Sequence, residues 1–288
     1  MGDVFLNGEF LPLEQARVSV LDRGFLFGDG VYEVIPAYAG RLFRLTEHLD
    51  RLDNSLRSIR MEPPLSHAQW ERILGRLVAQ ELPTDLTLYL QITRGAASKR
   101  DHAIPEDIPP TLFAMATVNP PSRPDADAYV EGIAAITLDD IRWHLCNIKA
   151  ITLLANVLQR QRAVDEDAME AILIRDGLAH EGAASNLFIV KKGTLITPPK
   201  GPQLLPGITR DLVLELAADA GLPHREGDIF EAELRDADEV WLTSSSREVM
   251  PVTRLNGKPV ADGRPGPLWR HMMGLYQEYK TQLQKGEF

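Results

Sequence analysis

The chain has 288 residues, enough to bury one large core or two modest ones, and 44% hydrophobic with 25% charged residues argues against a disordered polypeptide. A net charge of −10, from 41 acids against 31 bases, rules against a basic nucleic-acid footprint. No apolar run reaches a membrane span, no basic leader with an apolar stretch is visible, and lone Cys146 cannot close an intrachain disulfide, so the expected address is the cytoplasm.

Val4 to Phe10, with Asn7-Gly8 inside, predicts a short hairpin. Val31 to Tyr38 reads as a strand. Leu45, Leu49, Leu52, Leu56 and Ile59 recur at helical spacing, with Thr46 as the expected cap. Trp70, Ile73, Leu74, Leu77 and Val78 mark a second helix, with Ser66 ahead of it. Leu86 to Thr93 and Thr111 to Val118 read as strands joined by a polar loop, Arg94 to Pro110. The prolines of Asn119-Pro120-Pro121-Ser122-Arg123-Pro124 cannot continue a helix or a central strand. They predict a small N-terminal domain over 1–119, a linker over 120–125 and a larger domain over 126–288.

In the second part, Gly132 to Leu138 predicts a strand, and Ile151, Leu154, Val157 and Leu158 a helix. Ala171 to Ile174 and Asn186 to Val190 read as strands on either side of Asp176-Gly177. Leu212, Val213, Leu216 and Ala217 share one face of a helix that stops at Gly221. Val240 to Thr243 is a further strand and Trp269 to Leu283 the closing helix. Both halves are α+β rather than a regular βαβ series.

Five places carry candidate chemistry. Lys149 lies among Ile148, Ala150, Ile151 and Leu153. Apolar surroundings favour the neutral amine, the nucleophile that forms a Schiff base; a surface lysine is the ordinary alternative. Glu181, in Glu181-Gly182-Ala183-Ala184-Ser185-Asn186, offers a carboxylate that can keep a pyridine nitrogen protonated, beside small residues that admit a flat ring. Read alone, that stretch is also an ordinary turn. Gly207-Ile208-Thr209 opens a helix, where amides and a hydroxyl make an anion site, and Thr243-Ser244-Ser245-Ser246 adds hydroxyls after a strand. Neither follows the P-loop pattern. Arg51 lies roughly 120° from the leucine stripe of its helix, off the apolar face, where it can meet a phosphate or solvent. Arg100 and His102, in the loop after Arg94, present a fork and a donor suited to a carboxylate.

In order, these segments resemble the fold-type-IV pyridoxal-phosphate enzymes, and most closely the D-amino-acid aminotransferases. The resemblance runs from about Phe5 to about Trp269 and includes Arg23-Gly24-Phe25-Leu26-Phe27-Gly28-Asp29-Gly30-Val31-Tyr32-Glu33, Asn147-Ile148-Lys149, Glu181 to Asn186, Gly207-Ile208-Thr209 and Thr243-Ser244-Ser245. It implies a small α/β domain and a larger one with a mixed, barrel-like sheet. It also implies a pyridoxal 5'-phosphate cofactor held by Lys149, with Glu181 on the ring nitrogen and Tyr32 near the lysine and the substrate. Arg51, Ile208, Thr209, Ser244 and Ser245 would bind the phosphate. Arg100 and His102 match the pair that traps the substrate carboxylate, reaching in from a partner subunit, so a homodimer is implied; no metal is. Ala183 and Ala184 replace serines common in relatives, and Asp101 between the trap residues lowers the local positive charge.

The activity implied is ping-pong transfer of an amino group from a D-amino acid to 2-oxoglutarate. Two rivals share the fold, an aminodeoxychorismate lyase and a branched-chain L-amino-acid aminotransferase, and the Arg100-x-His102 pair favours the D-amino-acid reading over both. A non-catalytic cofactor binder would not need Lys149, Glu181 and Tyr32 together. A cofactor-free solute-binding or interaction protein predicts a colourless preparation.

Overall fold

The computed structural model describes residues 2–81, 84–119 and 127–287. The linker expected over 120–125 lies outside the described residues. The chain forms two compact units, one of Met1–Pro121, Ile148–Leu153 and Leu283–Phe288, the other of Ser122–Asn147 and Leu154–Gln282.

The first unit is an antiparallel sheet with helices on its apolar face. Its strands are β1 (Asp3–Leu6), β2 (Glu9–Pro12), β3 (Gly30–Tyr38), β4 (Arg41–Leu42), β5 (Leu86–Thr93) and β6 (Thr111–Val118), in the order β2-β1-β6-β5-β3-β4. Its helices are α1 (Arg23–Phe27), α2 (Leu45–Ser58) and α3 (His67–Ala79). The hairpin at Asn7-Gly8 forms as expected: Leu6 pairs with Glu9, and both turn residues have positive φ, 50° and 99°. Leu86, Leu88, Leu90 and Ile92 of β5 are wholly buried at period two, and they meet Leu49, Leu52 and Leu56 of α2 and Trp70 and Leu74 of α3 in one core.

Thr46 is not the cap of α2. Arg44 takes the N-cap position in the left-handed region without a side-chain cap, and Arg44 Nη2 instead pairs with Glu47 Oε1 at 2.8 Å. Ser66 does cap α3: its hydroxyl accepts from the Gln69 amide while Gln69 Oε1 accepts from the Ser66 amide.

The second unit contains α4 (Asp127–Val130), β7 (Ile133–Asp139), α5 (Leu154–Asp165), β8 (Glu170–Arg175), β9 (Leu178–Gly182), β10 (Asn186–Lys191) and β11 (Thr194–Thr197). There follow α6 (Ile208–Asp219), β12 (His224–Glu226), α7 (Glu231–Arg235), β13 (Glu239–Ser244), β14 (Glu248–Leu255), β15 (Lys258–Pro259) and α8 (Pro267–Lys285). The strands β10, β13, β14, β7, β8 and β9 pair in that cycle, and Glu181 paired with Asn186 closes β9 onto β10. The β14–β7 and β7–β8 pairs are parallel and the rest antiparallel, which makes a mixed six-stranded barrel. Its interior is apolar, with Ile172, Leu187, Ile189, Val240 and Leu242 buried. Among the described residues no helix is long and apolar enough to cross a membrane.

Two elements depart from the sequence reading. The helix expected from Ile151 begins at Leu154, because Ala150 forms an antiparallel bridge with Val31 and the backbone turns tightly on either side of it, Ala150 N–H to the Ile148 carbonyl and Leu153 N–H to the Ile151 carbonyl. The strand β9 was not expected, and Glu181 lies within it; residues 183–185 form the turn between β9 and β10, with the Gly182 amide donating to the Ser185 carbonyl.

Candidate active site

In the first unit, period two in β3 puts Val31, Glu33, Ile35 and Ala37 on the core face, so one acid stands in an apolar row. Glu33 is fully buried and fully paired. Arg51 grips it side-on, Nε to Oε1 and Nη2 to Oε2, both at 2.8 Å, and His48 Nδ1 lies 2.8 Å from Oε2. Burial alone would raise the Glu33 carboxyl; the Arg51 charge and the bonds from Arg51 and His48 outweigh it and hold the group far below the ordinary carboxylate range. Burial first, against the pull of Glu33, holds His48 neutral, with the charges of Arg51 and Lys149 acting in the same direction as burial.

His48, Arg51 and Ser55 occupy one line of α2, three and four residues apart. Arg51 is therefore buried rather than solvated. The Ser55 hydroxyl accepts the backbone N–H of Lys149 at 3.2 Å, the Lys149 carbonyl accepts from the Tyr32 amide at 3.0 Å, and the lysine Nζ stands 4.1 Å from the centre of the Tyr32 ring. The predicted lysine and tyrosine thus meet, and Arg51 belongs to the same face of the sheet as Glu33.

Arg100 and His102 go elsewhere. Both are exposed and both lie against Phe27, the guanidinium 4.8 Å and the imidazole 5.0 Å from its ring centre. Among the described residues neither bonds to Lys149, Tyr32 or Arg51. Their loop is held from below: Arg23 donates to the carbonyls of Asp101, His102 and Ala103, and Asp29 pairs with both Arg23 and Arg94. Asp101 does not face the trap residues with an unpaired charge, since it pairs with Lys99 and accepts the Ala103 amide.

In the second unit Glu181 lies one residue before the end of β9 and is buried. Its Oε1 takes Arg142 Nη1 at 2.5 Å; its Oε2 takes the Leu205 amide at 3.0 Å and Asn186 Nδ2 at 3.2 Å. Burial pushes this carboxyl up to about 7, against the pull of Arg142. Asn186 Nδ2 also donates to the Leu205 carbonyl, tying the barrel seam to the loop that opens α6. A Cβ at Gly207 would come within 1.8 Å of Asn186 Oδ1, so the close approach of that loop demands glycine. Ile208 and Thr209 form the first turn of α6, which packs on β13. The hydroxyls of Thr209 and Thr243 are buried without a hydrogen-bond partner among the described residues, a costly state that an anion at the helix N-terminus would relieve. Ser244 accepts the Arg247 amide in the turn that follows, and Ser245 is half-buried there.

Sequence reasoning passed over Glu33, His48, Ser55, Asn186 and Arg142. The spacing of His48, Arg51 and Ser55 was a usable signal; the charged and imidazole partners of Glu33 and Glu181 lie 15, 18 and 39 residues away, beyond any spacing rule.

The Amino-transferase class IV family matches residues 30–255, and the chain belongs to that family. It is 38% identical over 278 residues to the D-alanine aminotransferase of Listeria monocytogenes, covering 96% of each chain. It is 40% identical over 274 residues to that of Bacillus licheniformis, covering 95% of each. Among solved structures, the branched-chain amino acid aminotransferase of Escherichia coli superposes with a TM-score of 0.89 at 27% identity, covering 96% of this chain and 94% of the other. A second branched-chain amino acid aminotransferase, with pyridoxamine 5'-phosphate, superposes with a TM-score of 0.91 at 28% identity, covering 98% of this chain and 95% of the other.

Proposed function

We propose that the protein is a pyridoxal 5'-phosphate-dependent transaminase that moves the amino group of a D-amino acid, of the D-alanine type, to 2-oxoglutarate by a ping-pong cycle. The full-length 38–40% identity to D-alanine aminotransferases carries the substrate class, because the two structural relatives named for branched-chain amino acids are only 27% and 28% identical. The residues fit the cofactor on their own terms. Two buried hydroxyls at a helix start and a strand end, without a partner among the described residues, suit a phosphate, and a buried acid suits a ring nitrogen.

When bound, the cofactor supplies an aldehyde for the amino group and a protonated ring that draws electrons from the reacting carbon. Lys149 holds the cofactor and moves the proton at Cα, with Tyr32 against its Nζ to orient it. Glu181 keeps the ring nitrogen protonated. Arg51, the Ile208 backbone, Thr209, Ser244 and Ser245 bind the phosphate.

Arg100 and His102 receive the substrate carboxylate of a partner subunit in a homodimer. Large apolar side chains left exposed support that assembly: Phe25 at 75% in the first unit, and Leu154 at 72%, Val157 and Leu158 on one face of α5 in the second. A cytoplasmic address goes with the single cysteine.

The deciding assay incubates the purified protein with D-alanine or L-alanine and 2-oxoglutarate and measures pyruvate. Pyruvate from D-alanine alone is expected. Turnover of L-leucine with no turnover of D-alanine would replace this reading by the branched-chain one.

A further inference from the structure

We propose that Arg142 is a positioning residue that keeps Glu181 ionised for the ring nitrogen, and that Asp140 and Arg175 aim it; this rests on the cofactor reading above. Glu181 has three donors, two of them neutral: the Leu205 amide and Asn186 Nδ2. Arg142 Nη1 brings the only cation in direct contact with it among the described residues. Both neutral donors sit on Oε2, so Oε1 carries one bond and keeps an acceptor position for a ring N–H.

The arginine is not left to choose its direction. Its Nε and Nη2 engage Asp140 Oδ1 and Oδ2, each at 2.9 Å, a side-on fork that leaves Nη1 pointing at Glu181. Asp140 Oδ2 takes a second cation, Arg175 Nη2, at 3.0 Å, and the same Nη2 donates to the Arg142 carbonyl. Two carboxylates and two guanidiniums make a buried set of no net charge. Two further titratable groups meet it: His144, whose Nδ1 lies 3.2 Å from Arg175 Nη1, and the Cys146 thiol, which burial pushes up and which feels both acids and both arginines. His180, on the same strand as Glu181, is held toward neutrality by burial first and then by Arg175.

Without Arg142, burial and the Asp140 charge would act against only the two neutral donors, Leu205 N–H and Asn186 Nδ2, and the carboxyl would keep its proton to higher pH. With the shared proton on Glu181, no carboxylate would remain to keep a ring nitrogen protonated. Arg142 therefore acts on the reaction through Glu181. A purely structural arginine, clamping residues 140–147, would have no such effect.

The test begins with cofactor-free protein. The carboxylic-acid C=O band of Glu181, identified by its loss in Glu181→Gln, is titrated by infrared difference spectroscopy. In Arg142→Gln its midpoint is expected to rise by roughly one to two pH units, and Arg142→Lys to return most of the shift. An unmoved midpoint overturns the proposal. Should Arg142→Gln fail to fold, the lysine variant decides alone: a midpoint within about half a unit of wild type supports a charge effect, and a full shift sinks it. In the loaded enzyme, Arg142→Gln is expected to lower kcat about 10- to 100-fold in the wild-type background but about twofold or less in Glu181→Gln. Independent, multiplying losses would also overturn it. Protein that takes up no pyridoxal phosphate would remove the cofactor reading while leaving the band titration to judge the arginine.

Discussion

Glu33 and Glu181 are both sealed from solvent, yet their protons are held in opposite ways. Glu33 receives a two-point grip from one arginine and a third bond from His48, and its carboxyl is driven far down. Glu181 receives one arm of an arginine whose other arm is committed to Asp140, and its carboxyl rises to about 7. Burial depth is the same; the number of charge-assisted bonds, and how many acids share the cation, decides the outcome. Glu33 is a fixed anion that sets the direction of Arg51. Glu181 is poised near neutrality, as befits a group that must answer a ring nitrogen.

The largest effect expected is at Lys149. Lys149→Ala should lower transamination by a factor of at least about 10⁴ and remove the visible absorption of the bound cofactor in the same protein. Retained turnover would mean that neither carboxylate serves a lysine-held cofactor. Next comes Glu33→Gln, which leaves the buried Arg51 without its counter-charge. It should cost about 3–5 kcal/mol in urea unfolding of the cofactor-free protein at neutral pH. Glu181→Gln should cost less than about 1 kcal/mol at pH 8, because it removes a charge that burial already disfavours. Equal losses in the two variants would break the contrast.

The contrast sharpens with pH. Folded, cofactor-free protein holds the Glu181 proton up to about pH 7, whereas the unfolded chain releases it near 4.5. The folded state binds more protons in that window. The stability this group contributes is therefore present below 4.5 and is lost as pH rises toward 7. Glu33 has the opposite sign: its contribution is present above 4.5 and is lost only as pH falls well below that value. The difference in stability between wild type and Glu181→Gln, followed from about pH 4.5 to 8 by denaturant titration, should carry the first slope. A flat difference would show that Glu181 is not raised.

Local patterns were legible. Asn7-Gly8, the alternation of Leu86 to Thr93 and the cap at Ser66 all depend on neighbours within a few residues, and they form as read. The segment after Lys149 was misread because its apolar residues fit a helical period, while Ala150 takes a bridge from Val31, more than a hundred residues earlier in the chain. The strand β9 was hidden because its five residues, Leu178 to Gly182, carry only two apolar side chains and no run to detect. Arg142 was invisible as a site residue for a related reason. Its two acidic partners are two and thirty-nine residues away, and only the fold of the barrel brings the second within reach. Resemblance supplied Lys149 and Glu181, whereas the groups that set their electrostatics needed coordinates.

Two smaller predictions calibrate the comparison. Arg100→Ala should raise the KM for D-alanine about 10-fold or more, the worth of one charge-assisted bond, with the cofactor Kd within about twofold of wild type. An unchanged KM would take Arg100 out of the carboxylate trap. Ser66→Ala should cost about 1 kcal/mol in the same urea assay, since it deletes one exposed half of a neutral capping box. No titrating group takes part, so that loss should not vary between about pH 5 and 8. It supplies the scale for an exposed, uncharged hydrogen bond against which Glu33→Gln is judged. If the two losses were equal, burial and charge would not be what makes Glu33 a fixed anion, however many bonds its carboxylate receives.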